Sequence, residues 1–404
     1  MKLMGIYPLE NHSRLYKVFG YALYIFSIIP GSVLGFLQLF FKGDITGVGY
    51  KDLSSVVVIF LSPKLCSMVF AADNVKKCID YLDEGYFTIK NQNQEQIVTE
   101  CVQICRRNSV IFLGGCTVSF ITWSGTLLYR DDIKQLPLIA WLPFNSQDYS
   151  LLHYVLYCSH GFGVAYVAFA AGTVDPLIPG LICHASGQVQ ILKDNLQHLD
   201  DYIDRSDLVY EKIKECIDHY GAIINFVFKY ERSFSVVILC QLLESAIVIG
   251  ICCLQISKLE AYDINLIIMG NYLVFLLIQV YFYCYYGTAL VEENNSLINA
   301  IYMNRWYEYK KESQKALIIL MECSKKPLLI TAGRVVDLSL ETFTLVSQRF
   351  KYSLGLKLLV SDTKKIIFVI GSIEELLKVL LYYNSYYYSD VGLKNMRHKE
   401  KYQK

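Results

Sequence analysis

The sequence predicts an all-α integral membrane protein with seven membrane-spanning helices, and three observations lead to this fold class. First, 19% of the 404 residues are charged, whereas soluble domains carry roughly 25% charged residues. Second, the mean hydropathy is +0.33, and several apolar stretches reach the roughly 20 residues that a helix needs to cross a bilayer. Third, the basic residues collect in alternate loops, which is typical of multi-pass membrane proteins.

Six apolar stretches predict membrane-spanning helices. Pro30 and Pro63 fall inside the first two stretches and predict kinks there, which membrane helices tolerate. The fourth stretch is long enough to tilt or to continue into the cytosol. The six predicted spans are residues 18–41, 53–72, 108–129, 151–183, 234–256 and 264–290.

The seventh predicted span, residues 338–358, is amphipathic rather than uniformly apolar. A helical period of 3.6 residues divides it into two sides. The apolar side carries Leu340, Phe343, Val346, Phe350 and Leu354. The polar side carries Glu341, Thr344, Gln348 and Lys351, with Ser347 between the two sides.

The distribution of Lys and Arg predicts that the amino terminus lies in the cytosol. Basic residues are frequent in residues 1–17 and in the loops 73–107, 184–233 and 291–326, and they are sparse in the alternate loops. Loops rich in Lys and Arg face the cytosol. Seven spans would then place the carboxyl end outside, which is inverted relative to a G-protein-coupled receptor.

Long helices are also predicted on the cytosolic side. Leu192, Leu196 and Leu199 repeat at helical spacing, and a second apolar repeat runs through residues 213–228. These helices would continue spans four and five into the cytosol. We interpret them as a helical anchor region that packs against neighbours, because such long apolar faces need a partner. The alternative is a solvated helical hairpin.

No metal, cofactor or catalytic site is expected from the sequence. Cys101 and Cys105 lie one helical turn apart, but no second pair at zinc spacing accompanies them. Asp175, Glu244 and His160 are ionisable residues at membrane depth, and they do not form a recognised catalytic arrangement. The net charge of +1 gives no reason to expect a nucleic-acid partner.

The segment after the sixth span carries an ordered set of residues that resembles the carboxyl-terminal signature of the insect odorant receptor family. Other stretches are similar to the same family, among them "LPLIAWLPF" at residues 136–144 and "HYGAIINFVFKYERSFS" at residues 219–235. The likeness extends from residue 1 to about residue 356. The signature residues are Cys284, Gly287, Ala300, Tyr302, Trp306, Pro327, Ala332, Gly333 and the run Leu338–Phe343.

The resemblance implies a ligand-gated, non-selective cation channel in the plasma membrane of olfactory sensory neuron dendrites. An odour-tuning subunit of this family binds small volatile odorants and assembles with the odorant receptor coreceptor into a heterotetramer surrounded by membrane lipid. The coreceptor itself carries a long insertion after span four, and the corresponding loop here is short.

Two other receptor classes fit the sequence less well. Gustatory-type channel subunits end in a Thr-Tyr and a Gln-Phe that flank five residues, and the equivalent "FKYSLGLKLL" lacks both pairs. A G-protein-coupled receptor would carry Asp-Arg-Tyr at span three and Asn-Pro-x-x-Tyr in span seven. Neither motif is present in the sequence.

The resemblance also implies two sets of functional residues. The ligand pocket would lie among spans two to six in the outer half of the membrane, as an aromatic cavity with few polar groups. Its candidate residues are Cys116, Ser119, Phe120, Trp123, Tyr154, Tyr157, Gly161, Tyr272 and Phe275. The second half of span seven would line the ion pathway, with Thr344, Ser347, Gln348 and Lys351 as its pore-facing residues.

These inferences divide the chain into four regions. Residues 1–17 form a cytosolic amino terminus, and residues 18–290 form six spans with their cytosolic extensions and the ligand-binding bundle. Residues 291–358 form a cytosolic helix and the pore helix. Residues 359–404 depart from the family pattern. This tail is an amphipathic interface helix, an eighth span, or a product of how the end of the chain was defined.

Overall fold

A computed structural model describes residues 14–27, 29–42, 50–83, 85–129, 150–256 and 264–345, and these residues are helical almost throughout. Short 3₁₀ turns connect several of the helices. The helices are α1 (Arg14–Ser27), α2 (Ile29–Lys42), α3 (Tyr50–Phe70), α4 (Ala72–Asp80), α5 (Gln92–Tyr129), α6 (Ser150–Gln197), α7 (Ser206–Ile256), α8 (Ile264–Tyr302) and α9 (Lys311–Ser324). A further helix, α10, begins at Leu340 and is described as far as Leu345.

Three helices of the described chain, α6, α7 and α8, are long and apolar enough to cross a membrane. A fourth candidate consists of α3 and α4, which are bent by 58° relative to each other at the break between them. The predicted third span, residues 108–129, forms the second part of the 38-residue helix α5. The described fold is therefore that of a helical, multi-pass membrane protein.

The prolines of the first two predicted spans both fall on helices. The stretch 18–41 falls on α1 and α2, and Pro30 is the second residue of α2. Helix α3 continues through Pro63. The bend in the second predicted span comes at Ala71, between α3 and α4, rather than at Pro63.

Helices α6 and α7 continue beyond their apolar segments into a second helical bundle. Helix α6 has 48 residues and α7 has 51, and a short turn at Leu199–Tyr202 joins them into a hairpin. Helix α9 packs against this hairpin and against α8. Buried Asn294 of α8 ties the bundle together, because its amide donates to the carbonyl of Ser324 at 2.9 Å and its side-chain oxygen accepts from Tyr220 at 3.0 Å.

A small β-hairpin leads from α9 to α10, and the all-α prediction did not include it. Strands β1 (Thr331–Ala332) and β2 (Val336–Asp337) pair antiparallel. Gly333 and Arg334 have φ angles of 61° and 59°, as a tight hairpin turn of this hand requires. The hairpin lies on α7, where the amide of Gly333 donates to the carbonyl of Ser235 at 3.0 Å.

Candidate ligand cavity

A cavity of about 140 Å³ lies among five helices in the membrane part of the fold. Its walls come from α3, α5, α6, α7 and α8, and most of the lining side chains are apolar or aromatic. The lining residues are Val57, Val58, Leu61, Cys116, Ser119, Phe120, Thr122, Trp123, Val164, Val167, Ala168, Ala171, Asp175, Glu244, Met269, Asn271, Tyr272, Phe275, Leu276 and Gln279.

Aromatic rings form much of the wall on α5 and α8. The rings of Phe120 and Trp123 lie 6.0 Å apart, centroid to centroid, and Trp123 is buried. Phe275 reaches α5 at Gly115, where an added Cβ would lie only 2.4 Å from the Phe275 ring. Gly115 therefore makes the space that this ring occupies. Aromatic rings at these separations pack favourably and present an apolar surface to a ligand.

The structure brings six of the nine predicted pocket residues to this cavity. They are Cys116, Ser119, Phe120, Trp123, Tyr272 and Phe275.

Tyr154, Tyr157 and Gly161 do not line the cavity. They lie on the same side of α6 as the lining residues Val164 and Ala168, but they precede these residues by one to three turns. The sequence gives no information on how far along α6 the cavity lies, because that depends on how α6 is staggered against α5 and α8.

One end of the cavity is closed by a buried polar network that is centred on Asp175. Lys64 of α3 donates to the Asp175 carboxylate and to Gln241 of α7. Gln279 of α8 donates to the other carboxylate oxygen, and the Tyr283 hydroxyl donates to Asp175 at 3.0 Å. Lys64 and Asp175 are 0% and 1% exposed, so this ion pair is held away from solvent by neutral hydrogen-bonding partners.

Sequence reasoning placed Asp175 at membrane depth but missed Lys64, its partner. The distribution of Lys and Arg is informative about loops, but Lys64 lies inside a predicted span, so that pattern does not draw attention to it. A signal was available, since a lysine within an apolar span usually pairs with an acidic residue of another span.

Two polar atoms beside the cavity have no hydrogen-bond partner within the described part of the chain. These are the Oγ of Ser119 on α5 and the Oε2 of Glu244 on α7. Both residues line the cavity, and Glu244 is 1% exposed. Buried polar atoms in proteins nearly always have a hydrogen-bond partner, so two atoms without one at a cavity wall need an explanation.

The comparison with protein families decides the class of the protein. The model of the 7tm odorant receptor family matches residues 51–349. The chain belongs to the odorant receptor family. The resemblance predicted from the carboxyl-terminal signature is thereby confirmed, and the family is one of ligand-gated channel receptors rather than enzymes.

Individual odorant receptors give the same result. Odorant receptor Or1 of Anopheles gambiae is 21% identical over 378 residues, which cover 85% of this chain and 89% of that protein. The odorant receptor coreceptor of Aedes aegypti is 25% identical over 139 residues, 34% of this chain and 29% of the coreceptor. The solved structure of olfactory receptor OR5 from Machilis hrabei shares the fold, with a TM-score of 0.76 at 13% identity over 89% of this chain and 96% of that one.

Four signature residues of the odorant receptor, Cys284, Gly287, Leu338 and Phe343, meet where α10 crosses α8. The Cβ of any residue other than glycine at Gly287 would lie 2.3 Å from the carbonyl oxygen of Leu338. Phe343 is buried against Tyr281 and Cys284. The signature therefore includes the residues that hold the start of α10 against α8.

The predicted pore residues of the receptor fall mostly beyond the described part of the chain. Thr344 is described, and its side chain is exposed on α10. Its hydroxyl donates to the carbonyl of Leu340 at 2.8 Å, within the same helix. Ser347, Gln348 and Lys351 lie outside the described residues.

The cysteine pair on α5 contacts the backbone of α6. The Cys101 thiol lies 3.7 Å from the carbonyl of Cys183, and the Cys105 thiol lies 3.6 Å from that of Gly180. Across the described residues, no group of three or more His, Cys, Asp or Glu side chains is arranged to hold a metal ion. Both thiols lie at the contact between α5 and α6.

Proposed function

We propose that this receptor is an odour-tuning subunit that binds a small volatile organic ligand in the cavity and thereby gates a cation channel. The observation that carries this proposal is the aromatic-walled cavity among α3, α5, α6, α7 and α8 in a chain of the odorant receptor family. An apolar pocket with a few convergent polar groups is the usual form of a small-molecule site.

The size of the cavity suits a ligand of about one ring. A cavity of about 150 Å³ accommodates benzene in another protein, and the cavity here has a volume of about 140 Å³. The Machilis hrabei receptor OR5, which shares this fold, has been solved in complex with eugenol, a single-ring compound. A volatile ligand of similar bulk is the class that we propose for this receptor.

We further propose that the receptor forms a non-selective cation channel as a heterotetramer with the odorant receptor coreceptor. The resemblance to the family and the similarity to coreceptor sequences support this assembly. In that channel Thr344, Ser347, Gln348 and Lys351 would face the ion pathway. Three of them lie on the polar side of the amphipathic segment 338–358, and Ser347 lies at the edge of that side. A pathway for hydrated cations requires polar groups on one side of each lining helix.

Current recording tests the proposed function directly. Cells that express the chain together with a coreceptor should show cation currents in response to a panel of small volatile compounds, and cells that express the coreceptor alone should not respond to the same compounds. A gustatory-type channel would instead respond without the coreceptor. Identical responses with and without the chain would contradict the tuning role.

We also propose seven spans, with the amino terminus in the cytosol and the receptor in the plasma membrane of sensory dendrites. An epitope tag at residue 1 should be hidden from antibody in intact cells and accessible after permeabilisation. A tag inserted at residues 145–148, between the predicted spans three and four, should be accessible in intact cells. The positive-inside distribution of Lys and Arg is the reason for this orientation. The reverse labelling pattern would favour the topology of a G-protein-coupled receptor.

Replacement of Trp123 should weaken ligand sensitivity. Trp123 is buried beside Phe120 in the cavity wall, and the loss of one buried aromatic contact costs roughly 1 to 3 kcal/mol of binding free energy. Trp123→Ala should therefore shift dose–response curves by about 5- to 150-fold. Phe162→Ala is the control, because Phe162 is an exposed ring of α6 that does not line the cavity. Equal curves for wild type and Trp123→Ala across the panel would assign Trp123 to helix packing alone.

A further inference from the structure

The unpaired polar atoms of Ser119 and Glu244 lie on the same side of the Asp175 network. Gln241 is level with Asp175, because Lys64 donates to both. Glu244 follows Gln241 by three residues along α7, or about 4.5 Å at 1.5 Å per residue. This displacement leads from the network into the cavity.

Ser119 lies at a similar depth on the α5 wall of the cavity. Its neighbours on α5 show this, since Cys116 packs against Gly172 of α6 and Phe120 packs against Phe169. Ser119 is therefore level with residues 169–172, about one turn from Asp175 in the direction of the aromatic wall. The two unpaired atoms thus border the cavity between its polar end and its rings.

Glu244 has no salt bridge in the described part of the chain, because Lys64 of the network pairs with Asp175. Lys64 donates hydrogen bonds to Asp175 and Gln241. Glu244 Oε2 is thus a buried oxygen with free hydrogen-bonding capacity that faces a cavity with otherwise largely apolar walls. Leaving such a group unpaired costs free energy, and a ligand that pairs with it recovers that cost.

We propose that the cavity selects small apolar ligands that carry one hydroxyl group, which donates to Glu244 and accepts from Ser119. A hydroxyl has one donor hydrogen and two acceptor lone pairs, so it can satisfy both atoms at once. The single-ring or short-chain body of the ligand then packs against Phe120, Trp123 and Phe275. This inference rests on the proposed function, because it assigns the ligand class of the same cavity.

The hydroxyl is favoured over other head groups by its chemistry. A hydrocarbon can neither donate nor accept a hydrogen bond, so Glu244 and Ser119 would both stay unpaired, and an ether can only accept, whereas a hydroxyl can do both. An ammonium group could pair with a carboxylate, but its transfer from water into a site of this burial costs more than that of a neutral hydroxyl. The pairing of a neutral hydroxyl with Glu244 and Ser119 needs no charge to enter the cavity.

An isosteric series of ligands tests the proposal. Benzyl alcohol, ethylbenzene and benzylamine have the same shape and differ in one terminal group. In cells that express the receptor with a coreceptor, benzyl alcohol should activate at a concentration about tenfold or more below that of ethylbenzene. It should also activate at a lower concentration than benzylamine.

Two variants connect that preference to the named residues. Glu244→Met removes the acceptor at similar volume, and it should reduce the preference for benzyl alcohol over ethylbenzene to less than about threefold. Ser119→Ala should reduce the preference in part, and this small change keeps the test decisive if Glu244→Met does not reach the cell surface. Met269→Leu alters an apolar lining residue and should shift both ligands together.

Several outcomes would overturn the proposal. Equal potency of benzyl alcohol and ethylbenzene on the wild type would do so, as would a preference that Ser119→Ala and surface-expressed Glu244→Met both leave unchanged. Greatest potency of benzylamine would show that the site binds a cation instead. Currents evoked by other odorants but by none of the three compounds would refute the ligand class and leave the tuning role intact. Silence towards every compound of a broad panel would contradict the proposed function itself.

Discussion

Lys64→Met should strongly reduce the amount of folded receptor. The substitution leaves the Asp175 carboxylate buried, with only the neutral donors Gln279 and Tyr283 to pair it. Removal of one member of a buried ion pair typically costs about 3 to 5 kcal/mol of folding free energy, because the other charge is left uncompensated. The thermal unfolding temperature of detergent-purified receptor and its level at the cell surface should both fall.

A second substitution separates the loss of charge from the loss of packing. The double variant Lys64→Met with Asp175→Asn removes both charges and puts a neutral, hydrogen-bonding amide in place of the carboxylate. It should therefore recover most of the lost stability. The control is Lys77→Met on the adjacent helix α4, because Lys77 is exposed. Surface substitutions usually change stability by less than about 0.5 kcal/mol. Unchanged stability of Lys64→Met would show that Asp175 does not need a cation.

Gly287→Ala should displace the start of α10 from α8. The added Cβ would lie 2.3 Å from the backbone oxygen of Leu338, and a backbone atom cannot move aside as the end of a side chain can. Overpacking of this kind costs typically about 1 to 3 kcal/mol. We expect a lower unfolding temperature, together with currents that are altered in the absence of ligand, since α10 leads into the proposed pore segment.

Gly270→Ala provides a matched control on the same helix. No heavy atom lies within 4 Å of the position that a Cβ at Gly270 would take. Alanine is a better helix former than glycine by about 1 kcal/mol, so this variant should be as stable as the wild type or slightly more stable. If Gly287→Ala matched Gly270→Ala in both measurements, α10 would not depend on close approach to α8.

Much of the fold could be predicted because it follows from local pattern. The lengths of the apolar stretches indicated where long apolar helices lie, and helical periodicity predicted that Cys116, Ser119 and Trp123 share one side of α5. The helical hairpin of α6 and α7 was visible in the spacing of Leu192, Leu196 and Leu199. These signals are properties of single helices and need no knowledge of their neighbours.

The remainder depends on how helices meet, which periodicity does not encode. Tyr154 and Tyr157 were placed at the pocket because the stagger of α6 against α5 was unknown. The pairing of Lys64 with Asp175 joins residues that are 111 positions apart in the sequence. Strands β1 and β2 have two residues each, which is too short for any alternation of polar and apolar residues to be recognised. The sequence likewise cannot show that Glu244 Oε2 lacks a hydrogen-bond partner, because this depends on neighbouring residues from other helices.

Helix α8 joins the cavity to α10 over a very short length of chain. Gln279 lines the cavity, and Tyr281 packs against Phe343 only two residues later. A packed helix moves as a rigid rod, so the wall that receives the ligand and the surface that holds the pore segment cannot shift independently. In the proposed channel, odour tuning and the background firing of the sensory neuron would then share one mechanical element. Substitutions on this part of α8 that broaden the odour response would also change the spontaneous activity of the cell, so selection on one trait would constrain the other.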